Sequence, residues 1–103
     1  MTTLRAPISD VGENGVLRVE SPAGAVCLVR IGDAFYAIAD CCSHQNVPLS
    51  EGEVDPDECT IECWKHGSAF SLKDGEPQSL PATRPVPVYS VQVEGDEVVV
   101  TIP

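Results

Sequence analysis

A chain of 103 residues can bury one modest core, so it has no room for a large substrate pocket as well. With 16 acidic and 6 basic residues the net charge is −10, which disfavours nucleic acid and anionic membranes as partners, although the acidity could serve solubility alone. Residues 1–10 contain one arginine and no apolar run, so they do not resemble a secretion signal and we expect a cytoplasmic protein. Because the cytoplasm is reducing, we expect the five cysteines to bind metal rather than to form a disulfide framework.

Short apolar stretches separated by turn residues predict an all-β protein, a sandwich or barrel of antiparallel strands. Gly32-Asp33 and Gly95-Asp96 are typical two-residue hairpin turns. No sustained helical period is present, and residues 10–15 could form at most one turn of helix. In chain order the predicted strands are 16–20, 26–31, 34–39, 59–62, 70–72, 86–94 and 98–102.

Three stretches interrupt the strand pattern, at residues 40–56, 64–69 and 75–85. The first holds Cys42-Ser43-His44. Cys63-Trp64-Lys65-His66 follows after 18 intervening residues (45–62) and runs into the second stretch. The third is rich in proline. The chain contains 2 histidines, and both lie in these Cys/His pairs. Two thiolates and two imidazoles suit either zinc or an iron–sulfur cluster, although C-x-H spacing is unlike a typical zinc knuckle.

The arrangement closely resembles the Rieske family, whose pattern is C-x-H followed by C-x-x-H. Pro48-Leu49-Ser50-Glu51-Gly52 is similar to the family's segment after the first ligand loop, and His66-Gly67-Ser68-Ala69-Phe70 to the continuation of the second. Further similarity lies in the proline-containing loop, at Gly75, Pro77, Leu80, Pro81, Ala82 and Pro85. The resemblance implies one Rieske domain over 1–103, with two ligand loops and a proline-containing cover loop forming a cluster-binding part at about 40–85.

The resemblance also implies one [2Fe–2S] cluster held by Cys42, His44, Cys63 and His66, with the two Cys on one iron and the two His on the other. Cys41-x-x-His44 is an alternative pair from spacing alone, and the resemblance selects Cys42.

The other cysteines are interpreted as packing residues. Cys41 is expected to be a buried non-ligand, and Cys27 and Cys59 to be small core residues. Cys59 is expected to alternate with Ile61 on one face of a strand. Trp64 is interpreted as apolar packing or as a cover over the cluster.

Residues near the ligands indicate a low-potential member of the family. Val47 and Lys65 occupy the positions of a loop disulfide found in some relatives, so that disulfide is absent. Ser68 is present as a hydrogen-bond donor, but Phe70 stands where high-potential members have a tyrosine.

The resemblance implies a monomeric one-electron carrier rather than an enzyme. It would pass electrons from a flavoprotein reductase to an oxygenase or another redox acceptor. Two alternatives remain open: a Rieske protein associated with SUF iron–sulfur assembly proteins, and a zinc-stabilised interaction module without redox activity. Acidic residues between the ligand loops are expected to steer a basic partner, namely Glu51, Glu53, Asp55, Asp57 and Glu58.

Overall fold

The computed structural model describes residues 2–12, 14–22, 24–41, 48–64, 67–78 and 85–102. Within these ranges every strand pairing is antiparallel, as the sequence predicted. Two 3₁₀ turns lie at Ile8–Asp10 and Leu49–Glu51. The strands are β1 (Thr2–Pro7), β2 (Val16–Val19), β3 (Val26–Ile31), β4 (Ala34–Ala39), β5 (Glu53–Asp55), β6 (Thr60–Glu62), β7 (Ala69–Ser71), β8 (Val88–Glu94) and β9 (Glu97–Ile102).

Six strands form one sheet in the order β1-β9-β8-β4-β3-β2. The two hairpins predicted from glycine-aspartate turns are both present, joining β3 to β4 and β8 to β9. Gly32 and Gly95 adopt φ values of 60° and 63° in these turns, a region that glycine enters without steric cost. The remaining strands form a separate small sheet in the order β5-β6-β7.

Two strands were not predicted from the sequence. β1 pairs with β9 from Thr2↔Ile102 to Pro7↔Glu97, yet only Ala6 in it is buried. β5 reads Glu-Val-Asp and has no buried residue, so it shows little apolar pattern of its own. The single helical turn considered for residues 10–15 lies instead at Ile8–Asp10. Pairing with another strand, distant for β1 and neighbouring for β5, therefore defines these two strands more than local propensity does.

The described residues form two hydrophobic cores, which β3 and β4 separate. Alternate residues of β3 point to opposite faces, as in any strand. The first core lies toward the small sheet and contains Cys27, Val29, Ile38, Leu49, Ile61, Cys63, Phe70, Leu72 and Val86. The second core contains Ala6, Val11, Val26, Leu28, Ala37, Val98, Val100 and Ile102. Since β3 and β9 are separated by two strands but share the second core, the six-stranded sheet must curl.

The small sheet closes the first core. Ile61 of β6 lies opposite Val54 of β5 and Phe70 of β7, and both Ile61 and Phe70 are fully buried. β6 begins at Thr60, one residue later than predicted, because Cys59 has a φ of 57° that is incompatible with a strand. The expectation that Cys59 alternates with Ile61 on a strand is therefore wrong, although Cys59 does pack against the first core.

Candidate metal centre

The second predicted ligand loop leaves the small sheet at the end of β6. Cys63 follows Glu62 directly and is fully buried. Its N–H donates to the Ser68 carbonyl oxygen at 2.7 Å, and the Gly67 N–H donates to the Cys63 carbonyl oxygen at 2.9 Å. A φ of 74° at Gly67 lets the chain turn back sharply enough to make these bonds. Backbone hydrogen bonds thus close this loop immediately around Cys63.

The first predicted ligand loop joins β4 to the 3₁₀ turn at Leu49–Glu51. Asp40, just after β4, has a side chain with 0% exposure and accepts three hydrogen bonds. The donors are the Ser50 N–H at 2.6 Å, the Ser50 hydroxyl at 2.6 Å and Arg18 Nη1 at 3.1 Å. No role was predicted from the sequence for Asp40 or Arg18, and Ser50 was noted only as part of a segment similar to the family's. An acidic residue directly before the Cys-Cys-x-His segment was the available signal.

The proline-rich stretch is anchored at both ends. Near its N-terminal end, the Gln78 N–H donates a hydrogen bond to the Ala69 carbonyl oxygen of β7 at 2.6 Å. On its far side the Val86 N–H donates to the Gly75 carbonyl at 2.9 Å. The backbone of Pro87 also accepts from the Ala39 N–H at 2.9 Å, beside the start of the first ligand loop. The third stretch is therefore held beside β4, which leads into the first ligand loop, and beside β7, which follows the second.

Of the four predicted ligands, the structure describes Cys63. Cys42, His44 and His66 lie outside the described residues, as do residues 79–84 of the predicted cover loop. Among the described residues no group of three or more His, Cys, Asp or Glu side chains comes close enough to hold a metal ion. The same part of the chain contains no helix long and apolar enough to cross a membrane.

The environment of Cys63 fits a metal ligand. Its side chain lies in the first core beside apolar residues that include Leu49 and Phe70. A thiolate in such surroundings is costly unless a cationic centre compensates its charge. The predicted donor set of two thiolates and two imidazoles, from two loops whose bases are anchored, would suit an iron–sulfur cluster of the Rieske type.

The other described cysteines have different environments. Cys27 is fully buried in β3, as predicted, and burial together with the charge of Asp40 raises the pKa of its thiol. Cys27 lies within β3 rather than in a ligand loop, as expected of a packing residue. Cys59 packs against the first core, and its hydrogen bond with Tyr36 raises the pKa of the tyrosine hydroxyl. Cys41 is half-buried rather than buried.

Two residues expected near the cluster lie close to Cys63 along the chain. Ser68 is fully buried and its backbone pairs with Cys63. Phe70 is fully buried in the first core, and its backbone forms an isolated antiparallel β-bridge with Pro77. Trp64 is 57% exposed, which does not fit the simple packing considered for it, and the other interpretation, a cover over the cluster, stays a prediction.

Acidic side chains line an open cleft of about 530 Å³ on the small sheet. Glu53 of β5 and Glu62 of β6 lie directly opposite each other, and Asp55 and Glu58 also line the cleft. The five acidic residues that the sequence analysis grouped between the ligand loops are exposed: Glu51, Glu53, Asp55, Asp57 and Glu58. The small sheet therefore presents a surface of one charge sign.

Comparison with known proteins gives consistent matches over nearly the whole chain. The family model of the Rieske [2Fe-2S] domain matches residues 2–90. The 3-phenylpropionate/cinnamic acid dioxygenase ferredoxin subunit of Shigella boydii serotype 4 (strain Sb227) is 41% identical over 97 residues, which cover 94% of this chain and 90% of that protein.

Solved structures are similar as well. The ferredoxin of carbazole 1,9a-dioxygenase from Nocardioides aromaticivorans IC177 has a TM-score of 0.92 and 33% identity, with 97% of each chain covered. A chain in a complex of reduced oxygenase and oxidized ferredoxin in carbazole 1,9a-dioxygenase has a TM-score of 0.88 and 40% identity, covering 95% of this chain and 91% of that one.

Proposed function

The chain belongs to the Rieske [2Fe-2S] domain family, and on this premise we propose that it is a ferredoxin, a one-electron carrier that passes electrons from a reductase to an acceptor such as an oxygenase. The observation that carries this proposal is the 41% identity to a dioxygenase ferredoxin subunit over 90% of that subunit's length. This similarity extends over almost the whole length of that subunit. The chain is accordingly a carrier and not itself a catalyst.

We propose that Cys42, His44, Cys63 and His66 hold one [2Fe–2S] cluster. When bound, such a cluster accepts and returns one electron, and its two neutral imidazoles make it easier to reduce than an all-cysteine cluster. The chain contributes the support. Buried side chains such as Leu49 and Phe70 exclude water beside Cys63, and backbone hydrogen bonds hold the start of the second loop.

The partners follow from the same comparisons and from the surface of the small sheet. One similar structure is a complex of a ferredoxin with an oxygenase, and we propose an oxygenase as the acceptor of this chain and a flavoprotein reductase as the donor. The exposed indole of Trp64, next to Cys63, provides apolar contact area close to the cluster loops. The acidic cleft would favour a partner with basic residues around its docking site.

The comparisons do not favour the two alternative functions. They give no specific support for SUF iron–sulfur assembly proteins as partners or for a zinc-stabilised interaction module. The single-domain organisation over 1–103, the monomeric state and the cytoplasmic location stay predictions.

The proposal is tested by the metal content and spectrum of the purified protein. We expect brown protein with about two iron and two sulfide per chain, and an electron paramagnetic resonance signal after reduction, as a [2Fe–2S] cluster requires. Replacement of Cys42, His44, Cys63 or His66 by alanine should abolish the cluster.

The matched controls are Cys41→Ser and Cys59→Ser, which should retain the cluster. Stoichiometric zinc without visible absorbance in freshly prepared protein would contradict the electron-carrier function. Cluster loss in Cys41→Ser with retention in Cys42→Ser would show that the neighbouring cysteine is the ligand.

A further inference from the structure

The buried carboxylate of Asp40 connects three separate segments of the chain. It lies just after β4 and accepts two hydrogen bonds of 2.6 Å from Ser50, one from the backbone N–H and one from the hydroxyl. Arg18 of β2 donates a third at 3.1 Å and also binds Glu20 at 2.9 Å. Both carboxylate oxygens of Asp40 are therefore engaged, since Ser50 N–H binds Oδ1 while Ser50 Oγ and Arg18 bind Oδ2.

The two residues that meet here flank the first ligand loop. Asp40 precedes Cys42 by two residues along the chain, and Ser50 follows His44 by six. One side chain thus joins the strand that enters the loop to the 3₁₀ turn that leaves it. In the second loop the equivalent closure is made by backbone bonds between Cys63 and residues 67 and 68. Burial of a charge is costly, and three charge-assisted hydrogen bonds are a strong way to offset it.

We propose that Asp40 is a positioning residue for the cluster: its carboxylate, bound to Ser50 and Arg18, ties together the two ends of the first ligand loop and so fixes Cys42 and His44 for binding. The proposal rests on the proposed function, because it takes those two residues as ligands. Asp40 acts through the loop and not as a ligand itself, since its oxygens are occupied by protein donors. Loss of the hydrogen bonds to Asp40 would let the two ends of the loop separate. The cluster would then be more accessible to chelators, and the geometry of its ligands would change.

The neighbouring segments support this role. Leu49, between the loop and Ser50, is fully buried in the first core together with Cys63. Gly52 follows the same 3₁₀ turn, and a Cβ at this position would clash with the backbone carbonyl of Glu62, the residue before Cys63. The segment that Asp40 holds is therefore packed directly against the base of the second ligand loop. A shift of that segment would disturb both loops together.

The test compares the rate of iron release to a chelator and the electron paramagnetic resonance g-values of the reduced protein. Asp40→Ala, Asp40→Asn and Ser50→Ala should each release iron at least tenfold faster than the wild type and show shifted g-values. Ser50→Thr keeps the hydroxyl and should behave like the wild type. Val100→Ala in the second core is the matched control, because it lowers folding stability away from the loops and should leave the g-values unchanged.

If Asp40→Ala does not fold, Asp40→Asn and Ser50→Ala decide the question. Wild-type g-values in these variants, with iron release no faster than in Val100→Ala, would overturn the proposal and leave Asp40 as a stabiliser of the fold. Failure of the proposed function is a separate result, because the wild type would then contain zinc and no resonance signal. Zinc release from the same variants would still show whether Asp40 closes the loop.

Discussion

The two hydrophobic cores of the molecule are built in different ways. In the second core nearly all buried residues lie in strands of the six-stranded sheet, and long strand pairs such as β1–β9 hold them. The first core contains residues from loops and turns, including Leu49, Cys63 and Val86, and is covered by three strands of three residues each. Strands so short contribute few ladder hydrogen bonds and are marginal without further support.

The difference indicates where the cluster adds stability. The second core can form from the polypeptide alone, because each of its strands has a neighbour over several residues. The first core depends on loops whose ends are tied by single residues such as Asp40, and a bound cluster would cross-link the two ligand loops over it. Metal binding of this kind contributes directly to folding. We therefore expect the apoprotein to lose order first around the small sheet.

The largest expected effect separates the two cores directly. Ile61→Ala and Leu28→Ala each remove a fully buried side chain, the first from the core beside Cys63 and the second from the other core. Each should lower the free energy of unfolding by about 2–5 kcal/mol. Only Ile61→Ala should also accelerate iron release, measured with a chelator under native conditions. Equal acceleration in both variants would show that the cores unfold as one unit.

A smaller effect concerns the reduction potential. With Phe70 in place of a tyrosine, the midpoint should lie near the low end of the Rieske range, roughly −150 mV. Phe70→Tyr should raise it by about 40 mV if the added hydrogen bond is about 1 kcal/mol stronger in the reduced state. Ser68→Ala should lower it for the same reason. Leu28→Ala, remote from the small sheet, serves as the control in the same voltammetric titration.

A wild-type midpoint well above zero would contradict this interpretation of Ser68 and Phe70. An unchanged midpoint in Phe70→Tyr, with the cluster intact, would show that the new hydroxyl reaches no cluster sulfur or ligand thiolate.

The smallest effect concerns the charged outer surface of the small sheet. The second-order rate of electron transfer to an oxygenase should fall on the order of tenfold between low and physiological salt, as the Debye length shrinks from about 30 Å to about 8 Å. Neutralising Glu51, Glu53 and Asp55 together should flatten this dependence and leave the midpoint nearly unchanged. Stopped-flow kinetics measure both.

The control removes the same number of charges from exposed positions in and beside the two hairpin turns of the large sheet, with Asp33→Asn, Glu94→Gln and Asp96→Asn. It should keep most of the salt dependence. Equal flattening by both triple variants would attribute the steering to net charge rather than to the acidic cleft, and a rate indifferent to salt would leave solubility as the role of the acidity.

The all-β class, the two hairpins and the buried state of Cys27 could be predicted from the sequence because their causes are local. Glycine at φ near 60° makes a two-residue turn wherever strands flank it, and an apolar run such as that of β3 is buried in any sheet. The spacing of Cys42, His44, Cys63 and His66 is equally a property of the sequence, and the structure describes only Cys63 among them.

Tertiary structure decided the features that depend on distant residues. β1 is a strand because β9, at the other end of the chain, supplies its hydrogen bonds. Cys59 lies just before β6 and not in it, because its own φ is positive. No apolar pattern in the sequence reports such a backbone angle. Asp40 can be buried because folding brings Ser50 and Arg18 to its carboxylate, and a charged residue is stable in a core only where donors from elsewhere in the chain replace the water it loses.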